Sequence, residues 1–475
     1  MTGVSATEEF SGLEAIYEAY GLESASDRAA VAEAYGVFRE HHGPYVTSIA
    51  AEMLDDLRAS VEADPNERIV FVGRDGFSLG VAVRAMDPDF FDAHCHNVVL
   101  SRALAEAAVQ DKERNSGAEY PQLQPYREIS GSVDDRDIDG AYQRLTRYLR
   151  GNGIPVGREG SRITFVDSCL KGTIQELCAA IYPKSEFTGR YMFYYGIEGD
   201  PHPGSKKGYA LHREGALGGG LKTLPADPAL TFGSIPAIRV IENALQGPLS
   251  SPKRIRDDAP DQTRLIDTPD RTWGCNPVLI AEPYRDPAVR EASKVAALLA
   301  VHDSAVDVRD GAPLDTAKVR EQFTTQVRSW LERSADVDPR LNRILDSFVH
   351  RDDHRLIRRL DDLMHEARLP EATRTRFWTT FDQVTSLDDK KDFIEQFRNA
   401  TQRAPDGAGP PRGEVDASHR RVEEGQPWLR GITPAVGGAV SRPPAQRTPG
   451  GGAPPRAPAG ASYPGRPRRP DAPSR

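Results

Sequence analysis

Apolar residues recur at three- and four-residue spacing from about residue 8 to 62, in "DRAAVAEAYGVFREHH" and "PYVTSIAAEMLDDLRASVE", with Gly43-Pro44 between the two runs. That period predicts an N-terminal helical segment over 1–62. From residue 63 short apolar runs alternate with helical ones: "RIVFVG" before "FSLGVAVRAM", "HNVVLSR" before "ALAEAAVQD", "RITFVDS" before "GTIQELCAAIYP". Strands separated by helices pair in parallel through right-handed crossovers, so a doubly wound, mainly parallel α/β sheet is expected over 63–285. "GRYMFYYGIE" and "GYALHRE" flank the loop "GDPHPGSKKG" and predict a hairpin.

Beyond residue 286 the pattern is helical again, through "DPAVREASKVAALLAVHDSAV", "DTAKVREQFTTQVRSWLERS" and further runs to about 402. Asp and Thr at cap positions and Pro370 as a break predict several helices. From residue 403 onward Pro, Gly, Ala and Arg dominate. Such a segment buries too little apolar surface to offset its ordering entropy, and 403–475 is expected to be a disordered tail.

Charge separates body from tail. The 475-residue chain carries a formal net charge of -9, which argues against a protein built to coat nucleic acid or an anionic membrane. The tail holds 12 arginines, no lysine and 6 acids, so it is positive and suits a protein partner of acidic character. Cys95, Cys169, Cys178 and Cys275 are too scattered for a disulfide framework or a zinc motif. The acidic N-terminus lacks an apolar core and no run is long enough to span a bilayer, so a cytoplasmic protein without membrane contact is expected.

Two strand-to-helix turns carry the candidate chemistry. In "RIVFVGRDGFSLG" a strand ends in Gly73-Arg74-Asp75-Gly76, and in "RITFVDSCLKGTIQEL" another delivers Asp167, then Ser168-Cys169-Leu170-Lys171, to Gly172-Thr173 at a helix start. Ligands of α/β proteins bind beyond the carboxyl ends of strands, where helix N-termini offer N–H groups to anions. Gly172 permits close approach, Lys171 adds charge and the Thr173 hydroxyl a donor, which suits a phosphate. Lys206 and Lys207, in the loop between the last two strands, are candidates for a basic flap over it. His94-Cys95-His96, without a second cluster, is read as structural, Cys169 as an ordinary small thiol, and "GALGGGLKT" (215–223) as a connection.

A strand ending in an acid, a short loop and Gly-Thr opening a helix resembles the phosphoribosyl-diphosphate loop of type I phosphoribosyltransferases, and "VFVGRDGFSLG" is similar to their pyrophosphate-binding first turn. Those enzymes carry two adjacent acids where this chain has Asp167 and Ser168. The run of Gly43-Pro44, "GRDG", "VVLSR", "VDSCLKGT", "KKGY" and "IENALQGPLSSP" also resembles poorly characterised bacterial haloacid-dehalogenase-like proteins; Gly73 stands where that superfamily's nucleophilic Asp belongs, and no phospho-aspartyl chemistry is then expected. The resemblance implies a site for a phosphorylated sugar or nucleotide. Asp167 and Asp75 would be catalytic, Asp167 would also meet Mg²⁺, and Gly73, Arg74, Gly76, Lys171, Gly172, Thr173, Lys206 and Lys207 would hold the ligand. A non-catalytic binding module and a haloacid-dehalogenase-like hydrolase are the alternatives.

Overall fold

A computed structural model describes residues 6–349, apart from 128–129, 131–132, 169, 215–223 and 265–279. Cys169, the 215–223 connection, the end of the helical region and the tail expected to be disordered lie outside the described residues.

Three helices come first: α1 (Ala6–Tyr20), α2 (Ala25–Glu40) and α3 (His42–Ala63). The α/β part follows as β1 (Arg68–Gly73), α4 (Phe77–Met86), α5 (Pro88–His94), β2 (Cys95–Val99), α6 (Arg102–Ser116), α7 (Asp135–Ile138), α8 (Ala141–Gly151), β3 (Ser161–Asp167), α9 (Thr173–Ile181), β4 (Ser185–Tyr195), β5 (Lys206–Arg213) and α10 (Ile235–Leu245). A two-residue pair, β6 (Ile255–Arg256) and β7 (Ala259–Pro260), precedes α11 (Pro287–Arg309), α12 (Thr316–Leu331) and α13 (Pro339–Phe348). No helix among the described residues is long and apolar enough to cross a membrane.

The five main strands form one sheet in the order β2-β1-β3-β4-β5, and every adjacent pair is parallel. This is an α/β fold with a common doubly wound order. Alternation along the strands sends Ile69 and Phe71 into one apolar cluster with α1–α4 and α10–α13, and Val70 and Val72 into a second with α6, α8 and α9. Both faces are therefore buried, as a parallel sheet requires.

The expected hairpin between the last two strands is not there. β4 and β5 run parallel, Gly189 opposite Lys206 and Tyr195 opposite Arg213. The intervening ten residues at roughly 3.3 Å each are long enough to retrace the paired part of β4 before β5 starts, and turn-type composition alone cannot distinguish that return from a hairpin tip.

The helices after residue 286 join the main core. α11 packs along α2, α3 and α4, with Val289, Leu298 and Val301 in the same cluster as Phe38, Val46 and Leu79. Asp286 starts α11 by accepting from the N–H groups of Ala288 and Val289 at 2.8 and 3.1 Å, with Pro287 in the first turn.

Candidate functional site

The strand order reverses at β1: the chain runs outward to β2, then crosses back to place β3 on the other side of β1. At such a switch point the loops beyond the strand carboxyl ends part and leave a crevice. Here the crevice is a cleft of about 670 Å³. Gly73, Arg74 and Asp75 line it from the end of β1, Ser101 and Arg102 from the end of β2, and Asp167, Lys171, Gly172 and Thr173 from the end of β3. Three helices, α4, α6 and α9, begin at its wall. Ser101 caps α6 through Leu104 N–H at 3.1 Å, whereas the glycines that open α4 and α9 supply no side-chain cap; in α4 the Phe77 N–H donates to the Arg74 carbonyl at 3.2 Å.

The two turns hold their glycines for steric reasons. A β-carbon on Gly76 would stand 2.6 Å from the Val166 carbonyl oxygen and 2.7 Å from that of Val72, so the first turn packs against β3 with no room for a side chain. Gly172 has φ +71°, and a β-carbon there would meet Lys206 Cε at 2.7 Å and Tyr191 Oη at 2.9 Å.

Asp167 is the electrostatic centre of the cleft. Loss of hydration pushes its carboxyl well above the usual carboxylate range; the negative charges of Asp75 and Glu242 push the same way, against the Ser168 N–H and Arg102. Ser168 N–H donates to Asp167 Oδ1 at 2.7 Å. Asp75 Oδ1 is buried with no hydrogen-bond partner. Arg74 donates to the Leu249 carbonyl at 3.5 Å.

The cleft therefore brings together Gly73, Arg74, Asp75, Asp167, Lys171, Gly172 and Thr173 from the two predicted turns. Its lining does not include Gly76, which packs against Val166 and Val72, nor Lys206 or Lys207. Lys206 opens β5 with its amine buried against Glu176, Asp200 at 2.8 Å and the His202 carbonyl at 3.3 Å; Lys207 pairs with Asp56 and lies 4.8 Å from the Tyr209 ring centroid. Both amines are engaged as strand-edge ion pairs and neither forms a flap. Lys206 still bears on the site indirectly, because its stem lies against Gly172.

Sequence reasoning missed Arg102, Tyr126, Tyr191, Arg239 and Glu242, all of which line the cleft. Arg102 had a signal, since it follows the end of a strand predicted to share the same edge. α10 had none: its Ile235, Ile238, Arg239 and Glu242 face the cleft at helical spacing, but nothing local in that segment places it across the sheet edge.

The arrangement can bind an anion at the helix starts, with Arg74, Arg102, Lys171 and Arg239 around it, and can hold a proton or a cation at the Asp167–Asp75–Glu242 side. The chain matches no known protein-family model, no curated protein and no solved structure.

Proposed function

We propose that the cleft binds a phosphorylated sugar or nucleotide and that the protein is a phosphoribosyltransferase-like transferase. The convergence of three helix starts and four cationic side chains on one switch-point cleft is the observation that supports this reading. The uncapped α9 start, Lys171 and Thr173 hold a phosphate; Arg74 and Arg102 hold a second phosphate or a diphosphate leaving group. Asp167 faces the sugar, and the reaction proceeds by positioning and charge stabilisation, without a protein nucleophile. Mg²⁺ fits the carboxylate side, because Asp75 offers a buried oxygen without a partner and hard oxygen donors suit that ion. When bound it supplies positive charge to the phosphate oxygens.

One feature favours a non-catalytic binder as the second reading. Ser168, which stands where type I phosphoribosyltransferases carry a second acid, is fully buried, with its hydroxyl 3.2 Å from Glu242 Oε1.

Thermal unfolding with phosphoribosyl diphosphate, nucleoside phosphates and sugar phosphates tests the site, since a ligand of the native state alone raises the melting temperature. The expected result is a rise that the double variant Lys171→Ala/Thr173→Val abolishes. A rise that survives in the double variant removes the phosphate from this cleft. Product formation with the stabilising ligand, lost in Asp167→Asn, separates the transferase from the binder.

A further inference from the structure

A second polar cluster lies outside the cleft, where α2, α3 and α13 meet. Glu40 ends α2, His41 is the single residue between α2 and α3, and Asp338 caps α13 by accepting from the N–H groups of Arg340 and Leu341 at 2.7 and 3.4 Å. One ligand-type atom from each of Glu40, His41 and Asp338 lies within 4.8 Å of the other two.

The imidazole is the informative member. His41 Nε2 is buried and has no hydrogen-bond partner. Its acidic neighbour Asp338 Oδ2 stands 3.6 Å away, beyond good hydrogen-bond reach. Two ligands on bonds of about 2.1 Å at the tetrahedral angle around a zinc-type ion are about 3.4 Å apart. The gap that is poor for a hydrogen bond is thus close to the edge of a metal tetrahedron. Glu40 and His41 also border a cavity of about 460 Å³ that reaches Glu321 and Gln326, which gives an ion a way in and a water a place beside it.

Arg340 occupies the acids at present: its guanidinium pairs with Glu40 and stands 3.5 Å from Asp338 Oδ2. Both Arg340 and Glu40 are about half exposed, 53% and 51%, and an exposed pair of this kind is weak. A chelated transition ion binds far more strongly than such a pair.

We propose that Glu40, His41 and Asp338 form a site for a first-row divalent transition ion of the Zn²⁺ type, held by one imidazole nitrogen and two carboxylate oxygens with a fourth position open to water. The ion would displace Arg340 and tie the α2–α3 junction to the start of α13. This site is independent of the phosphate cleft.

Titration of the full-length chain with Zn²⁺ alone, followed by calorimetry, and with Co²⁺, followed by its visible absorption, tests the assignment. The expected result is one site with the strong band of four-coordinate Co²⁺, weakened at least tenfold by His41→Gln and tightened severalfold by Arg340→Met, which keeps the three ligands and removes the competing cation. Asp338→Asn retains the helix cap, so it should fold as the parent does while losing the ion, and it carries the test if His41→Gln does not fold. Affinity unchanged in these variants would assign the ion to another place, Asp75 and Asp167 included, and overturn the proposal. Absence of binding to both the parent and Arg340→Met would overturn it as well.

Discussion

At the scale of single residues, Asp167 carries a conflict between stability and site chemistry. Its folded carboxyl holds a proton well above the usual range through lost hydration and the Asp75 charge. A group with a raised folded value contributes stability at low pH that is lost as pH rises through that value. Above the ordinary carboxylate range the unfolded chain gives up this proton more readily than the folded one, and that difference weakens the unliganded protein at neutral pH. Asp167→Asn should raise the melting temperature by a few degrees at pH 7, with the difference shrinking toward pH 4, while any turnover disappears. A lower melting temperature at pH 7 would mean that the Asp167 charge is compensated in the folded state. His42 presents the opposite sign. It is buried between Phe38 and Phe323, each ring 4.9 Å away, with Nε2 3.2 Å from the Val240 carbonyl and Nδ1 without a partner. Burial first, and the neighbouring His41 second, push its value down to about 3, against the Val240 carbonyl. Between that value and the ordinary one of about 6.5, the unfolded chain binds the proton more readily, so stability falls by up to ~1.4 kcal/mol per pH unit on acidification. His42→Gln should flatten the stability profile between about pH 6 and 4 relative to the parent, measured by denaturant unfolding; an unchanged slope would assign the acid sensitivity to other groups.

At the scale of elements, what was legible depended on how local the cause was. β1 and α4 were readable because "RIVFVG" is a buried run ending at a turn whose glycines have no space for a side chain, and the helix then starts on Phe77. The turn after β3 was readable for the same reason, and both turns reach one cleft because the strands that carry them pair, Phe71 opposite Val166. The direction of β5 was not readable. Its partner is chosen by the apolar surface that Phe193, Tyr195 and Leu211 bury with Phe232, and no signal in the loop encodes that choice. The lysines of the loop misled for a related reason: a cation next to glycine and proline looks solvated in one dimension, yet Glu176 on α9 and Asp200 draw Lys206 inward. α10 brought Arg239 and Glu242 to the cleft from more than sixty residues beyond Asp167, a placement decided wholly by packing.

At the scale of the whole molecule, the segment from residue 286 reads in the sequence as a separate helical region, but its described helices complete the core of the sheet. Glu291, Ser293 and Lys294 of α11 are buried along with its apolar residues, a burial that an isolated helical appendage would not produce. A chain ending at residue 286 should therefore lose cooperative unfolding and near-ultraviolet circular dichroism, because the faces of α2, α3 and α4 that α11 covers would be left to water. Retention of a sharp transition in that truncated chain would make the segment an independent unit. The same packing sets the order of events during synthesis. α2, α3 and α4 leave the ribosome well before α11, and the helix that closes over them ends roughly 220 residues after α4. At ordinary translation speeds that interval is roughly 10–45 s. For all of it α2, α3 and α4 wait with an apolar face uncovered, so helices made early are finished late, and a holdase or a transient partner for that face is what the nascent protein needs most.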